Sequence, residues 1–248
     1  MNLKLSSVVS FAFLLISSKL CGQINTNKIF LDQYQSTTDS VNASYYRLIE
    51  YISEDSLKTK VMLFSIDGIL KSIEQYSNYK KKTKEGKSYT YHSDLKLKSI
   101  ADFKDGKYHD TLKTFHSNGT IKRLEIFQDG KTVKGNCYGI NGNDTLYFPY
   151  ETIGRYPGGE DALIKYLVKN IKYPEKARKK GIEGTVYIKF LVNKNGDIEN
   201  SKVVKSIDPL LDTEALRVVS QMGKWIPGEI DGEKITLFYT LPIKFKLQ

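Results

Sequence analysis

The stretch YPEKARKKGIEGTVYIKFLV, residues 173–192, decides the fold of the carboxy-terminal part of this 248-residue chain. Apolar and polar residues alternate from Thr185 to Val192, which is the two-residue period of a β-strand. Before that strand, Pro174 fits the first turn of a helix and Gly181 is placed to end it. The stretch therefore predicts a helix, a glycine stop and a strand.

The residues upstream of this stretch predict a longer helix. In TIGRYPGGEDALIKYLVKNIKYP, residues 152–174, a pair of glycines is followed by two acidic residues, which the positive end of a helix dipole favours. The apolar residues recur at helical spacing and are interpreted as a core stripe. The stripe consists of Leu163, Tyr166, Leu167 and Ile171.

The residues downstream complete one α+β unit. Asn195-Gly196 predicts a hairpin turn, and residues 198–207 predict a return strand. Residues 208–225 hold a second predicted helix, with Asp212 or Thr213 as its cap. A last strand is predicted over Lys234–Lys246, with Trp225 interpreted as core. The order helix, strand, strand, helix, strand predicts a three-stranded antiparallel sheet with its helices on one face.

The middle of the chain is built from a repeat of 23 to 27 residues. Four segments align without gaps: FSIDGILKSI from Phe64, YHSDLKLKSI from Tyr91, FHSNGTIKRL from Phe115 and YGINGNDTLY from Tyr138. Second turns are predicted at EGK (85–87), DGK (105–107) and DGK (129–131), because Asp-Gly and Asn-Gly supply the positive φ angles of two-residue hairpins. The pattern predicts an all-β region of antiparallel hairpins that stack on one another.

These repeats resemble the variant MORN-type repeats of bacterial envelope proteins over residues 60–148. The resemblance implies a twisted antiparallel sheet and no chemistry. Leu95 stands where the other units have glycine, so the second unit is expected to turn differently. The predicted domains are residues 23–150 for the repeat region, which opens with a leading strand, and 151–248 for the α+β unit.

The amino terminus, MNLKLSSVVSFAFLLISSKLCGQ (1–23), predicts export. A lysine near the start precedes an apolar run from Val8 to Ile16, which is short for a membrane span and suits a signal peptide. Residues 1–22 are therefore expected to be a signal peptide or an uncleaved anchor, with a lipid on Cys21 as the third alternative. Each of these places the body of the protein in the periplasm or elsewhere in the cell envelope.

Composition argues against several functional classes. The net charge of +10 is spread along the chain, with an excess of four basic groups in 23–149 and again in 150–248. A nucleic-acid binder concentrates such charge on one face, so this chain is not expected to bind nucleic acid. The spacing of the three histidines matches no metal motif. No catalytic set, cofactor site, metal site or small-molecule substrate is predicted, and the chain is not expected to be an enzyme.

The carboxy-terminal unit resembles the C-terminal domain of the TonB family over residues 152–248. The shared residues are Tyr173-Pro174, Ala177, Gly181 to Gly184, Val186, Ile188, Phe190, Val192, Asn195-Gly196, Ile198, Val203, Ser206, Leu211-Asp212, Ala215-Leu216, Val219, Trp225 and Pro227-Gly228. The lead-in YPGGEDAL also matches envelope forms of the family. Family members bind the TonB box, a short extended peptide of outer-membrane receptors, as an added strand at a sheet edge.

The resemblance implies a peptide-binding site. The candidate edge is the last strand, from Ile235 to Phe245, in which Pro242 suits an edge position. The implied contacts are Lys172, Tyr173, Pro174, Lys176, Ile235, Leu237, Phe238, Tyr239, Thr240 and Leu241. Lys172 replaces the glutamine that the family carries there. An inner-membrane proton-motive complex is a further implied partner, and an exposed edge can also pair with a second copy in a homodimer.

Two functions follow from these observations. The first is a periplasmic TonB-like protein that docks on TonB-dependent receptors in energy-coupled transport. The second is an envelope scaffold or adaptor that binds a protein or cell-wall partner through its repeats and transmits no force. The family's proline-rich spacer is absent in recognisable form, since only six prolines occur and none precedes Pro149. That departure is the reason for the second alternative.

Overall fold

The computed structural model describes residues 26–53, 55 and 57–247 of the chain. The predicted leader, residues 1–22, lies outside them. Backbone contacts divide the protein into two compact units, which meet in sequence between Tyr147 and Phe148. The first unit contains only β-strands among its described residues, and the second combines helices with two small sheets.

The first unit is one antiparallel sheet of 11 strands within the described residues. In chain order these are β1 (Thr26–Leu31), β2 (Tyr45–Tyr51), β3 (Thr59–Ser65), β4 (Leu70–Asn78), β5 (Thr83–Lys84), β6 (Gly86–Tyr91), β7 (Leu97–Lys104), β8 (Lys107–Phe115), β9 (Ile121–Gln128), β10 (Lys131–Tyr138) and β11 (Asp144–Thr145). Each strand pairs with its neighbours in sequence, except that β5 forms a side branch on β4. The repeats therefore fold as successive hairpins.

The first turn of every repeat closes in the same way. The residues of each unit are counted here from its first, aromatic residue. The N–H of residue 2 donates to the carbonyl of residue 6, and the N–H of residue 5 donates to the carbonyl of residue 2. Residue 5 is Gly68, Gly119 or Gly142 with φ between 83° and 89°, and Leu95 with φ of 64°. The expected difference at Leu95 is therefore wrong, because leucine adopts the left-handed conformation there and keeps both hydrogen bonds, of 2.8 and 3.1 Å.

The predicted second turns are correct at two of three places. Asp105-Gly106 and Asp129-Gly130 form two-residue turns with positive φ at both positions. The turn predicted at 85–87 is wrong, because the chain reverses earlier, over residues 79–82. Lys82 supplies a positive φ of 58° in that reversal. Glu85 only separates β5 from β6, and both of these strands pair with β4, so the chain does not reverse at the Glu-Gly pair.

Identical contacts tie successive repeats together. The Nε2 atom of His92 lies 3.2 Å from the carbonyl oxygen of Phe115, and Nε2 of His116 lies 2.9 Å from that of Tyr138. Both histidines occupy residue 2 of their units. The two histidines are therefore explained by the packing of repeats.

One face of the repeat sheet buries a charged pair. Arg123 and Glu125 lie two residues apart on β9, so both point to the same face, and both side chains are fully buried. The guanidinium donates a hydrogen bond to the carboxylate. The ring of Tyr147 lies over the guanidinium, at 5.7 Å from its carbon, and Gly135 leaves the room that this ring occupies.

The second unit contains three helices and six strands among its described residues. They are β12 (Glu151–Thr152), α1 (Gly159–Asn170), α2 (Glu175–Lys179), β13 (Gly184–Val192), β14 (Ile198–Lys205), α3 (Pro209–Ser220), β15 (Gly228–Ile230), β16 (Glu233–Ile235) and β17 (Leu237–Phe245). The main sheet has the order β14-β13-β17, and a second sheet has the order β12-β15-β16. The predicted sheet and helices are present, and α2 is the short helix among them. The predicted cap at Asp212 or Thr213 is wrong, because α3 begins at Pro209 and the side chain of Asp208 caps it by accepting a hydrogen bond from the N–H of Leu210.

The core of this unit lies between the main sheet and its helices. Side chains from β13 and α3 form its centre and are fully buried, among them Val186, Ile188, Phe190, Leu211 and Val218. The predicted stripe of α1 packs against this centre while half-buried. Trp225 is buried in the same cluster, with ring centroids 5.3 Å from Phe190 and 5.1 Å from Tyr239, as its interpretation as a core residue predicted.

The single long strand predicted over Lys234–Lys246 is wrong. The chain forms β16 up to Ile235, and β17 begins at Leu237. Ile235 pairs with Gly228 in the second sheet, whereas Leu237 pairs with Val192 in the main sheet. The alternation of apolar residues continues across residue 236, so the sequence carries no sign that the strand changes partner there.

Candidate functional site

The main sheet of the second unit ends in a long, regular edge strand. β17 pairs with β13 over nine consecutive residues, from Leu237 opposite Val192 to Phe245 opposite Gly184, without a register shift. Among the described residues no other strand pairs with β17. β14, at the opposite edge, has two register shifts against β13 and a left-handed residue, Asn200. The β17 edge is therefore the straighter template for another strand.

Side chains alternate along β17 between the core and the solvent. Tyr239, Leu241, Ile243 and Phe245 pack on the core side, while Phe238, Thr240, Pro242 and Lys244 are exposed on the opposite face. Of the predicted contacts on this strand, only Phe238 and Thr240 therefore present exposed side chains. Leu237, Tyr239 and Leu241 are half-buried and offer a partner mainly their backbone. Ile235 lies in the other sheet.

The predicted contact segment Lys172-Tyr173-Pro174 lies at the Phe245 end of this edge. The ring of Tyr173 is half-buried and meets Phe245 edge to face, with centroids 5.7 Å apart. Its hydroxyl donates a hydrogen bond to the carbonyl of Ile182. Pro174, with φ of −63°, precedes the first residue of α2. Lys176 is exposed on α2.

Two residues that the sequence analysis did not single out hold this segment in place. The backbone N–H of Lys172 donates to Glu214 Oε1 at 2.6 Å. Arg217 donates to both oxygens of that carboxylate, at 2.7 and 2.8 Å, and to the carbonyl of Asn170 at 2.7 Å. The i, i+3 spacing of Glu214 and Arg217 on a predicted helix is a sequence signal for the pair, but not for its attachment to Lys172.

The electrostatics of Glu214 follow from these contacts. Burial raises the pKa of its carboxyl, but hydrogen bonds from Arg217 and from the Lys172 backbone outweigh burial and lower the pKa below its ordinary value. The carboxylate is therefore ionised near neutral pH, with donors on both oxygens. This part-buried, hydrogen-bonded pair fixes the start of the Tyr173-Pro174 segment relative to α3.

A shallow open depression of about 300 Å³ lies at the same end of the sheet. It is lined by Glu183, Gly184, Thr185, Lys244, Phe245 and Lys246. Among the described residues no group of three histidine, cysteine, aspartate or glutamate side chains could hold a metal ion. In the same part of the chain no helix is long and apolar enough to cross a membrane.

Comparisons with known proteins match this unit. Residues 169–247 match the family described as Gram-negative bacterial TonB protein C-terminal. Protein TonB of Vibrio cholerae serotype O1 is 36% identical over 88 residues, which are 35% of this chain and 35% of that protein. The chain thus aligns with about a third of the length of this curated relative. The similarity to the TonB C-terminal family therefore lies within the second unit, over residues 169–247.

Two solved structures are also similar to this unit. One NMR solution structure of the Helicobacter pylori TonB-CTD is 25% identical and covers 37% of this chain and 87% of that chain, with a TM-score of 0.29. A second NMR structure of the same domain is 23% identical and covers 35% of this chain and 90% of that chain, with a TM-score of 0.28.

Proposed function

We propose that this chain is a periplasmic TonB-like protein that docks on TonB-dependent outer-membrane receptors by β-strand augmentation, in energy-coupled transport. The observation that carries the proposal is the β17 edge, nine regularly paired residues within the segment that matches the TonB family. The partner is the TonB-box peptide of a receptor. The proposal gives the chain no enzymatic activity.

The position of Pro242 supports an outward-facing row of backbone amides. Proline has no N–H, and the pairing of β17 with β13 passes through Pro242 opposite Tyr187 without a shift. A proline directed toward β13 would remove a hydrogen bond of the ladder, so we infer that Pro242 faces outward. Backbone groups alternate along a strand, so the amides of Thr240 and Lys244 face outward as well.

This geometry suits a partner that is recognised mainly through its backbone. An added strand would exchange hydrogen bonds with the outward groups of Thr240 and Lys244, and its side chains would lie beside Phe238 and Thr240 on the exposed face. Tyr173, Pro174 and Lys176 would flank the peptide at the Phe245 end. Because β17 is regular, an added strand would form several hydrogen bonds with it, and these bonds would share a force that pulls along the strand.

A peptide titration tests the docking proposal. The full chain, labelled with ¹⁵N, is titrated with a synthetic TonB-box peptide, and amide shifts are mapped by NMR. We expect the largest shifts at Thr240, Lys244 and their β17 neighbours, with smaller shifts near Tyr173. Shifts confined to β14 or to the repeat sheet would contradict the proposal, and so would the absence of shifts at peptide concentrations well above the protein concentration.

A scaffold or adaptor role is the second candidate, and one observation favours it. Val133, Ile140 and Leu146 are 64%, 60% and 91% exposed near the β10–β11 end of the repeat sheet. Apolar side chains exposed to this degree are available to a partner. In this role the repeats bind a protein or cell-wall partner, and the second unit only attaches that partner to a receptor or to a second copy of the chain.

The state of the amino terminus separates the two candidates. Intact mass spectrometry of protein isolated from membranes shows whether residues 1–22 are retained. Retention is expected of an anchored transducer that couples to an inner-membrane proton-motive complex. A chain that begins at Gln23, or one with a lipid on Cys21, would instead support the scaffold or adaptor role, because force transmission needs an anchor.

A further inference from the structure

The exposed face of the main sheet concentrates positive charge. Lys189 on β13, Lys202 and Lys205 on β14, and Lys244 on β17 lie on the side opposite the helices. Among the described residues none of these four lysines forms an ion pair. The carboxylate that β14 adds to this face is Glu199, opposite Leu191, and it accepts a hydrogen bond from Asn193 at 2.6 Å. We call the four lysines the lysine face.

The positions of these lysines do not stabilise the folded sheet, because like charges lie side by side. Lys189 and Lys202 are direct cross-strand partners, and like charges in that relation destabilise a sheet. Lys189 Nζ lies 4.4 Å from the centroid of the Phe238 ring, and Lys205 Nζ lies 5.3 Å from that of Tyr187. These two ammonium groups thus rest on aromatic rings and not on carboxylates, while Lys202, Lys205 and Lys244 are exposed to an external anion.

We propose that the lysine face docks on the anionic headgroups of a lipid membrane. The match is one of charge: three adjacent strands about 5 Å apart present four cations on one exposed face. Phe238, 40% exposed, lies beside Lys189 and supplies an apolar ring that can enter the headgroup boundary. Clustered lysines gain about 1 kcal/mol each near an anionic lipid surface.

Docking in this way would set the orientation of the β17 edge. Phe238, Thr240 and Lys244 belong to the strand at the border of the lysine face, so a docked sheet would hold its open edge beside the membrane surface. The inference does not depend on the peptide proposal, because the four lysines contact lipid through their side chains, whereas an added peptide bonds mainly to the backbone of the edge. Phe238 is the residue that both contacts share. A Thr240→Pro variant should lose peptide binding and keep lipid binding.

Vesicle sedimentation tests the lipid proposal. The full chain is mixed with vesicles of phosphatidylglycerol and phosphatidylcholine, and separately with vesicles of phosphatidylcholine alone. Apolar segments should bind both kinds of vesicle equally, so the ratio of the two affinities reports the preference for anionic lipid. We expect a preference for the anionic vesicles that weakens as salt is added. The double variant Lys202→Gln/Lys205→Gln should reduce that preference roughly thirty-fold, from about 1 kcal/mol per lysine.

A matched control removes the same charge from the other side of the unit. Lys165→Gln/Lys169→Gln changes two exposed lysines of α1, which packs on the helical side of the sheet. Its preference should stay within about two-fold of the parent, since long-range effects of distant charges are screened. Unchanged Trp225 fluorescence in both variants confirms that the unit is folded.

Three results would overturn the proposal. The first is equal binding to anionic and neutral vesicles. The second is an equal loss in both double variants, which would indicate net charge without a specific face. The third is a loss of binding to purified cell-wall sacculi, with vesicle binding intact, in Lys202→Gln/Lys205→Gln. That result would assign the face to an anionic wall polymer instead.

Discussion

Tyr173 meets Phe245 edge to face, with ring centroids 5.7 Å apart, and this contact joins the α2 entry to the last residue of the edge strand. The hydroxyl of Tyr173 donates to Ile182 just before β13 begins. One side chain therefore fixes two neighbouring strands and the start of a helix. The predicted contact segment and the predicted edge are thus parts of one structure, although they lie far apart in the sequence.

A proline in the edge should block peptide binding. Thr240→Pro removes an outward N–H and places a ring where a peptide backbone would approach. We expect binding of a TonB-box peptide to weaken at least about five-fold, since the lost hydrogen bond is worth about 1 kcal/mol and the proline ring adds a steric clash. Isothermal titration calorimetry measures the change. Thr240→Ala keeps the amide and should bind like the parent, and equal affinity of a folded Thr240→Pro chain would exclude this edge.

Glu214 should stabilise the second unit in a pH-dependent way. Its pKa is lower in the folded state than its ordinary value of 4.5, so the unfolded chain binds more protons in acid. The stabilisation is therefore complete above pH 4.5 and is lost as the pH falls below that value. Glu214→Gln should cost about 2 kcal/mol at pH 7 and less at about pH 3.5.

Urea unfolding followed by Trp225 fluorescence measures this effect, because the chain has one tryptophan and it lies in this unit. Glu160→Gln is the control, since it changes an exposed carboxyl in the first turn of α1. It should alter the free energy of unfolding by about 0.5 kcal/mol. A Glu214→Gln deficit that is the same at both pH values would contradict the assignment.

Gly196 should tolerate no side chain. Its φ is 86°, and a Cβ added there would lie 2.2 Å from the carbonyl oxygen of Trp225, whose N–H donates to the Gly196 carbonyl at 2.8 Å. Gly196→Ala should destabilise the unit by about 3 kcal/mol, from the left-handed conformation and the clash together. Gly223→Ala is the comparison, because its Cβ would meet nothing within 4 Å. Similar thermal midpoints for both variants would refute this reasoning.

The buried pair of the repeat sheet should show strong coupling. Arg123→Met leaves the Glu125 carboxylate buried without its cation, which costs about 3 to 5 kcal/mol. Replacing both residues, in Arg123→Met/Glu125→Leu, should cost clearly less than the sum of the single changes. Urea unfolding followed by far-ultraviolet circular dichroism gives the four free energies of the cycle. Additive effects would mean that the two groups do not interact.

The sequence predicted those parts of the fold in which local chemistry decides the conformation. Asp105-Gly106 and Asp129-Gly130 are turns because few other pairs accept a positive φ at both positions, and Gly196 supplies the positive φ of the turn after β13. The helix over Gly159–Asn170 follows from apolar spacing and acidic residues in its first turn. The alternation of half-buried and exposed residues over Leu237–Leu241 likewise follows the two-residue period of a strand.

Other parts depend on contacts between distant residues, which local patterns do not encode. The break between Ile235 and Leu237 arises because the two residues pair in different sheets, with Gly228 and with Val192. The attachment of Lys172 to Glu214 joins residues 42 positions apart. Arg123 and Glu125 look like exposed strand residues in the sequence, and only the packing of Tyr147 across Gly135 shows why they are enclosed.

The histidine contacts between repeats have a consequence for how such chains change length. His92 and His116 reach main-chain carbonyls of the next unit, which every residue type provides. The junction therefore makes little demand on the side chains of the unit that follows. A gene duplication or deletion in steps of one repeat would preserve each junction, so we expect homologous chains to differ by whole hairpins and their reach to vary in fixed increments.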